Sequence, residues 1–275
     1  MVTSGCLGRA LAPAVDAAAR VERLVPTLPA HEVGWHRHVE PHFVLVERGR
    51  YASAAEGATT DGTPLLVFNP AGTAHRDAFA PGESLATSRF VSLTVGFDLW
   101  LRLEPGADLP RHPVALAGGA AIEARAMLGA LLETAAPDPL DIESTVAATA
   151  ALVSHRQPQA NQPPWLARCR DALRDDNEFA LKPGGLTRLA KELGVHPVHL
   201  ARAFRRHHRV TPGAWARAIR LERAAAALAR NRDELSDIAL EAGFFDQSHF
   251  TRAFRGAFGL TPAAFRRKSA PKSRA

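Results

Sequence analysis

GFFDQSHFTRAFRGAFGLTPAAFRR, residues 243–267, recurs in degenerate form about fifty residues earlier in the same chain. An internal repeat indicates a supersecondary unit that is present more than once, so it constrains the fold strongly. The matching pairs are Ala190 with Ala239, Gly194 with Gly243, His199 with His249, Arg202 with Arg252, Phe204 with Phe254, Arg205 with Arg255, Thr211 with Thr261 and Pro212 with Pro262. The offset grows from 49 to 50 after the glycine, so one residue has been added in the turn.

Each copy is predicted to form two short helices joined by a turn. The predicted helices cover 186–193 and 197–208 in the first copy and 235–242 and 247–258 in the second. Gly194 or Gly243 opens the turn. In the later copy Phe250, Phe254 and Phe258 recur at i, i+4 and i+8, which makes one apolar stripe and leaves the other side chains facing outward. The arrangement is a helix-turn-helix, present twice.

The outward face of each second helix is polar and cationic, which suits the major groove of DNA. Amide and guanidinium side chains can bond bidentately to base edges there, and Ser or Thr can serve bases or phosphates. The positions predicted to face bases are Val198, Ala201 and Arg202 in the first copy and Gln247, Ser248, Thr251 and Arg252 in the second. The positions predicted to hold phosphates are Arg205, Arg206 and Arg255. For Arg202 and Arg252, an ion pair on the domain surface is the alternative.

A third, longer helix is predicted between the two copies. Thr211 and Pro212 are typical of an N-cap followed by proline at the first helical position, and the helix is predicted to run to about Arg230. At ~1.5 Å per residue it would be ~30 Å long, close to the ~34 Å between successive major-groove faces on one side of a duplex. The two units are therefore predicted to read two adjacent major grooves.

The later copy also resembles a known protein family. The C-terminal signature of AraC/XylS-type transcriptional regulators is similar to Ile238-Ala239-x4-Gly243-Phe244-x2-Gln247-Ser248-His249-Phe250-x-Arg252-x-Phe254-Arg255, followed by Phe258-Gly259-x-Thr261-Pro262. Residues 220–224, RLERA, resemble the linker helix of that family, and the resemblance covers roughly the last 105 residues. It implies a sequence-specific transcription regulator that binds double-stranded DNA, contacts RNA polymerase and responds to a small-molecule effector.

Composition and charge exclude several other classes of protein. The chain has 275 residues and no apolar run near the ~18 needed to cross a bilayer, so no membrane-spanning segment is predicted. Its two cysteines, Cys6 and Cys169, make neither a disulfide framework nor a CxxC metal pair, and this fits a cytoplasmic location. Residues 165–275 carry a net charge of +11 and residues 1–164 carry −5, so the C-terminal half is predicted to bind nucleic acid.

The sequence predicts an α+β protein with an N-terminal antiparallel β-domain. Short runs rich in Val, Leu, Phe and Thr, at 43–46, 65–68 and 90–95, alternate with Gly, Pro and Asp. The predicted division is a mobile or helical lead-in at 1–27, a sensor domain at 28–115, a helical connector at 116–156, a polar, proline-rich linker at 157–164 and the DNA-binding domain at 165–275.

The connector is predicted to be an antiparallel pair of helices at 120–135 and 140–156. The apolar stripes are Ile122, Leu128, Leu131 and Leu132 on the first helix and Ile142, Val146 and Val153 on the second. Packing on the β-domain is the simplest role for these stripes. In the resembled family this region often forms a dimer contact, so the resemblance implies a homodimer.

Histidines of the β-domain form a second candidate site. The fragments His36-x-His38-x3-His42-x6-Gly49 and Pro70-x-Gly72-x2-His75 resemble the two motifs of cupins, small β-barrels whose paired histidines can hold a metal. The match is partial, because His42 occupies the position where metal cupins usually have Glu. The resemblance implies a cupin-like antiparallel β-barrel.

Three roles remain open for His36, His38, His42 and His75. Imidazoles that converge from two strands could bind Zn²⁺, Fe²⁺, Ni²⁺ or Cu²⁺, although the missing carboxylate weakens the case for a metal. They could instead line a pocket for a small organic effector, or they could be structural residues. No cofactor other than such a divalent ion is predicted. Residues 70–72 are predicted to shape a turn rather than touch a ligand.

The function predicted from these parts is a ligand-responsive transcription regulator, and no enzyme chemistry is required. One alternative is a metal-dependent cupin enzyme fused to a DNA-targeting domain. Another is a constitutive DNA-binding protein whose barrel only dimerises. In the ligand-responsive case, the signal is predicted to reach DNA through rearrangement of the acidic sensor against the basic DNA-binding half.

Overall fold

The computed structural model describes residues 8–10, 18–58, 64–103, 109–154, 163–175, 184–208, 210–230 and 233–269. The chain divides into two units, 1–156 and 157–275, which are considered separately. Of the linker predicted at 157–164, all but the last two residues lie outside the described ranges. None of the described helices is both long and apolar enough to cross a membrane.

The described part of the first unit contains ten strands. They are β1 (Gly8–Ala10), β2 (Ala19–Pro26), β3 (His36–Arg37), β4 (His42–Arg48), β5 (Tyr51–Ala52), β6 (Leu65–Asn69), β7 (Ala74–His75), β8 (Ala78–Phe79), β9 (Arg89–Val95) and β10 (Val114–Ala117). Six of them form an antiparallel sheet in the order β1-β2-β9-β4-β6-β10. Two separate ribbons pair β3 with β7 and β5 with β8. The predicted antiparallel β-structure is therefore present.

Three helices complete the first unit: α1 (Phe97–Leu103), α2 (Gly119–Glu133) and α3 (Pro139–Ser154). The side chains of Phe43, Leu45 and Phe68 alternate onto one face of the sheet, where they belong to the same buried cluster as Leu128 and Val146 of the helices. Every residue of β6 is buried, so both faces of the sheet are covered at its centre. This burial on both sides explains why β4 and β6 are continuous apolar runs instead of alternating ones.

The opposite face of the sheet is covered by the ribbon of β5 and β8. Val44, Val46 and Val67 point to this face and pack with Tyr51 and Phe79 of the ribbon. The predicted cupin-like barrel is not closed in the described strands, because each ribbon pairs only within itself and the large sheet runs from β1 to β10, with one further bridge between Val114 and Glu56. Proline explains part of the interruption, since Pro41 and Pro70 adjoin β4 and β6 and cannot donate a ladder hydrogen bond.

The turn between β4 and β5 requires Gly49. Its φ is 105°, a conformation that residues with a Cβ rarely adopt. A Cβ at this position would lie 2.6 Å from Ser88 Oγ and 2.9 Å from a ring carbon of Phe79. The glycine of the first cupin-like fragment therefore has a steric role in the fold.

The predicted lead-in at 1–27 is wrong where the structure describes it. β2 pairs with β9 over six residues, from Ala19 opposite Val95 to Leu24 opposite Phe90. Val21 and Leu24 are buried while Arg20 is exposed, so the segment is an integral strand of the sheet. The alanines and arginines around 19–23 hid this strand, because its apolar content is low and its partner lies seventy residues further along the chain.

The connector forms the predicted helix pair, with one error in the first stripe. Ile122 is 59% exposed, whereas Ala121 and Ala124 are fully buried and continue to Leu128 and Leu131. These small side chains let α2 approach the sheet closely. The prediction considered only the large apolar residues and therefore missed the two alanines. The second stripe is confirmed, since Ile142, Val146 and Val153 are buried.

The described part of the second unit is helical. Its helices are α4 (Pro164–Asp175), α5 (Gly185–Glu192), α6 (Pro197–His208), α7 (Pro212–Arg230), α8 (Leu235–Glu241), α9 (Gln247–Phe258) and α10 (Pro262–Ser269). The predicted bounds of α6, α7 and α9 are confirmed, and those of α5 and α8 differ by one residue. Leu166, Cys169 and Leu173 of α4 pack with Phe204 and Trp215 in the core of the first copy.

Candidate nucleic-acid interface and histidine cavity

The turn has the same backbone hydrogen bonds in both copies of the repeat. The Val195 amide donates to the Ala190 carbonyl at 2.9 Å, and the Phe244 amide donates to the Ala239 carbonyl at 2.8 Å. The glycine that precedes each donor has a φ of 70° in the first copy and 75° in the second. These bonds form a Schellman cap, which needs a left-handed residue at the glycine position. The second helix therefore departs from the same backbone geometry in both copies.

In the second copy, α9 presents a polar face that is held in place by an N-cap. The His249 amide donates to Asp246 Oδ1 at 2.6 Å, which satisfies one of the free amides at the start of the helix. Phe250, Phe254 and Phe258 are buried on the opposite side. Gln247, Ser248, Thr251 and Arg252 together line a shallow depression on the surface.

In the first copy, the exposed face of α6 is less polar at its start. Val198 is 51% exposed, Arg202 is exposed and Ala201 is half-buried. Leu200 and Phe204 are buried beneath them. The structure thus brings the predicted base-facing residues of each copy onto one exposed face, and their contact with bases stays a prediction.

The predicted phosphate-binding arginines, Arg205, Arg206 and Arg255, are also exposed. Among the described residues, neither these three nor Arg202 and Arg252 form an ion pair with a carboxylate. The surface ion pair considered for Arg202 and Arg252 is therefore not formed within the described part of the chain. All five guanidinium groups remain accessible to an anion.

Arg220 is a residue whose structural role the motif alone did not predict. It lies on α7 and is only 7% exposed, and its Nη1 donates to the Gly243 carbonyl at 3.1 Å. Its guanidinium also lies 5.3 Å from the ring centre of Phe244. Burial lowers the pKa of Arg220, with a further contribution from Arg217. Through these contacts α7 holds the turn of the second copy.

The histidine site is built on the ribbon of β3 and β7. His36 and His75 lie directly opposite each other in the antiparallel register, with ring centres 4.5 Å apart. His38 follows β3, and its ring centre is 5.2 Å from that of His36 and 5.3 Å from that of His75. The Gly72 amide donates to the His38 carbonyl at 2.9 Å, so the predicted turn at 70–72 supports the ribbon.

Backbone carbonyls fix the ring nitrogens of two of these histidines. His36 Nδ1 lies 2.9 Å from the Gly34 carbonyl, and His75 Nδ1 lies 3.0 Å from the Thr73 carbonyl. A carbonyl can only accept, so Nδ1 carries the proton in each neutral ring and Nε2 keeps its lone pair. One ring nitrogen from each of His36, His38 and His75 lies within 4.8 Å of the others.

His42 differs from the other three histidines. It begins β4 opposite Asn69, and its Nε2 lies 3.4 Å from Asn69 Nδ2, which also donates to Asp77 Oδ2 at 3.2 Å. Its ring centre is 3.9 Å from that of His38. Burial lowers the pKa of His42 well below 6.5, and the charges of the neighbouring histidines lower it further. His42 is therefore neutral at neutral pH and hydrogen-bonded to an amide.

Burial also lowers the pKa of His75, an effect that Asp77 opposes. The rings surround a cavity of about 60 Å³, and its apolar wall includes Leu24, Val44 and Phe90. That volume holds an ion with water, or a very small molecule, because sites for drug-sized ligands measure about 300–1,000 Å³. The cavity is therefore small, apolar on one side and lined with imidazole nitrogens on the other.

Sequence reasoning missed two polar residues that line this cavity, Tyr51 and Asp77, and also Asn69, which bonds to His42 and Asp77 beside it. All three are buried. Burial, followed by the charge of Asp77, raises the pKa of Tyr51 well above 10. The available signal was Asn69 itself, a polar residue that closes the apolar run LLVFN of β6.

Comparison with known proteins finds relatives for the second unit. Residues 189–268 match the family described as "Helix-turn-helix domain". The transcriptional regulator Rob of Salmonella typhimurium is 40% identical over 88 residues, which are 32% of this chain and 30% of that protein. The virulence regulon transcriptional activator VirF of Yersinia enterocolitica is 35% identical over 81 residues, 30% of each chain. The chain thus spans about a third of the length of these relatives.

Similar solved structures match either the C-terminal part of the chain or most of its length. The C-terminal domain of AraT, a response regulator from Geobacillus stearothermophilus, covers 42% of this chain and 93% of its own, with 26% identity and a TM-score of 0.38. ToxT from Vibrio cholerae covers 92% of this chain and 98% of its own, with 9% identity and a TM-score of 0.49.

Proposed function

We propose that the protein is a sequence-specific DNA-binding transcription regulator of the AraC type, on the premise that residues 189–268 of the second unit match a helix-turn-helix family. The proposal is carried by one observation: two geometrically equivalent helices, α6 and α9, expose cationic faces whose arginines have no ion-pair partner among the described residues. Exposed, unneutralised guanidinium groups on such helices suit the edges of bases and the phosphates beside them. Double-stranded DNA is the proposed partner.

The first unit is proposed to be the sensor of this regulator. Its cavity is the feature that supports this role, because four imidazoles, two of them buried and two half-buried, converge there beside an apolar wall, as polar groups do in a ligand pocket. The size of the cavity favours a small effector. A homodimer through the connector helices and a contact with RNA polymerase stay predictions from the resemblance.

DNA binding is tested with the full chain and a site selected from random duplexes. Arg252→Ala should weaken binding to the selected site by about 1–3 kcal/mol and relax preference at one base pair. Arg125→Ala is the matched control, since it removes one exposed positive charge from the other unit and should leave binding unchanged.

The salt dependence of binding distinguishes the two classes of arginine. Arg255→Ala should weaken binding to all sequences alike and reduce the slope of log K against log salt by about 0.9. If the full chain selects no site, or if Arg252→Ala loses the same affinity for random DNA as for the selected site, sequence-specific recognition by this face is wrong.

A further inference from the structure

We propose that His36, His38 and His75 bind one divalent transition-metal ion. The ion would be the effector of the proposed sensor, so its use as a signal rests on the proposed function. Binding of the ion does not, because it is measured without DNA. The ion class is late first-row, Zn²⁺, Cu²⁺, Ni²⁺ or Co²⁺, since neutral imidazoles are the ligands these ions share.

The orientation of the rings is the first support for this site. Metal-binding histidines nearly always donate their other ring N–H to a carbonyl or carboxylate, which fixes the tautomer and raises the basicity of the ligand nitrogen. His36 and His75 have this arrangement through the Gly34 and Thr73 carbonyls, which lie 2.9 and 3.0 Å away. Both Nε2 lone pairs are therefore available.

The spacing of the rings is the second support. Nitrogen ligands lie about 2.0–2.1 Å from Zn²⁺, so two of them in a tetrahedral site are about 3.4 Å apart. The three ligand atoms lie within 4.8 Å of one another, so the rings would have to close on the ion by up to about 1.4 Å. The ribbon pairing of His36 with His75 keeps two of the three at this distance.

His42 is assigned a positioning role instead of a ligand role. Its Nε2 already faces the Asn69 amide, and His42 is absent from the group of nitrogens that lie within reach of one ion. The site therefore has three protein ligands, and the cavity beside it, about 60 Å³, has room for water in the fourth position.

The test uses the full chain freed of metal by a chelator, with Co²⁺ as a spectroscopic probe and Zn²⁺ as its competitor. One Co²⁺ per chain should give visible absorption bands that Zn²⁺ abolishes. His36→Ala and His75→Ala should each weaken Zn²⁺ binding by more than about 100-fold, because loss of a hydrogen-bond partner of a ligand alone costs about 10–100-fold.

Two variants serve as controls. His31→Ala removes an exposed histidine of the same unit and should bind Zn²⁺ like the parent. His42→Asn should retain one Zn²⁺ per chain; a loss as large as that of His75→Ala would show that His42 is a ligand and would overturn the three-histidine assignment. Binding that does not saturate near one ion, or that is equal in parent and His75→Ala, would be adventitious and would overturn the site. Binding of the same proteins to the selected DNA site is measured in parallel. Loss of metal binding with DNA binding intact contradicts only the metal site, whereas absence of DNA binding contradicts the proposed function.

A second observation lies at the start of α9. Phe245 is 88% exposed, although Phe244 before it is 4% exposed and packs on Phe250. The residue directly precedes Asp246, the cap of α9, and lies two residues from Gln247. We infer that Phe245 contacts a thymine methyl group in DNA, an inference that rests on the proposed function.

The continuity of Phe245 with the predicted base-facing residues identifies DNA as its partner. The N-terminal residues of a recognition helix are those that reach base edges, and phenyl rings contact thymine through its methyl group. The net charge of +11 on residues 165–275 brings a duplex to this surface.

The test replaces each thymine of the selected site in turn by deoxyuridine, which lacks the methyl group. One replacement should weaken binding by the parent about fourfold, the value of one buried methyl, and should not weaken Phe245→Ala further. Leu240→Ala, which truncates another exposed apolar residue of the same copy, should respond to deoxyuridine like the parent. If Phe245→Ala binds the selected site as tightly as the parent and loses affinity for the same deoxyuridine probe, the contact is absent. Loss of transcription without loss of binding would point to a protein partner and also overturn it.

Discussion

The two helix-turn-helix copies share their interior and differ on their exposed faces. Phe204 and Phe254 are both fully buried, and the Schellman cap is the same in both turns. By contrast, Val198 of the first copy corresponds to Ser248 of the second. Ala201 likewise corresponds to Thr251, and Pro197 to Gln247. Packing and turn geometry tolerate little change, whereas exposed positions are free to diverge, so the copies are predicted to read different base chemistry.

The largest expected effect tests the shared interior. Phe204→Ala and Phe254→Ala should each lower the free energy of unfolding of the helical unit by about 3–5 kcal/mol, because each leaves a cavity in a packed core. The measurement is urea unfolding followed by the loss of helical circular dichroism. Leu240→Ala, at an exposed position, should change the free energy by less than about 0.5 kcal/mol. Tolerance of one Phe→Ala substitution but not the other would break the equivalence of the two interiors.

The next effect concerns a contact seen in the second copy. Arg220→Ala should destabilise the turn between α8 and α9 by about 1.5–3 kcal/mol, since it removes a charged hydrogen bond to the Gly243 carbonyl. Hydrogen exchange should rise at the amides of α8 and α9 more than at those of α5 and α6. Arg217→Ala removes an exposed arginine from the same helix and should leave exchange unchanged. Equal acceleration in both copies would mean that Arg220 supports the whole domain instead.

The exposed face of the second copy is tested by removing one side chain that could hydrogen-bond to a base. Gln247→Ala should cost about 1–3 kcal/mol of operator affinity, concentrated at one base pair under the second copy, because an amide can bond bidentately to adenine. The measurement is binding to a set of single-base operator variants. A loss spread evenly over all variants would show that Gln247 does not read a base.

The smallest effect belongs to the first copy. Val198→Ala should cost about 0.8 kcal/mol or less, the value of a lost methylene contact, and only where thymine lies beneath it. The same operator variants measure this effect. Should Val198→Ala cost more discrimination than Gln247→Ala, the predicted difference between the two faces is reversed.

The helical unit was largely predictable from the sequence, for local reasons. Phe250, Phe254 and Phe258 carry the helical period of α9 within twelve residues, and Gly243 and Pro262 lie close to where the flanking elements begin. Such signals need no knowledge of distant partners. The bounds of α6 and α9 were therefore predicted without error.

The first unit was less predictable because its order depends on pairing between distant segments. β2 is recognisable only through its partner β9, and the register that places His42 opposite Asn69 is not a local property. The motif spacing did bring His36, His38 and His75 together, yet it could not show that His42 faces an amide. Ile122 was misplaced because alanine, not a larger residue, marks the buried side of α2.

α7 has a consequence for how the helical unit loses its structure. Trp215, Ala216 and Ile219 of this helix belong to the core of the first copy, while Arg220 bonds to the turn of the second and α10 packs along the same helix. Because α7 packs against both copies, separating the copies would expose apolar surface on each of them. Unfolding of either copy alone would therefore expose apolar surface of α7, and a fragment that ends before α7 should be less stable than the intact domain.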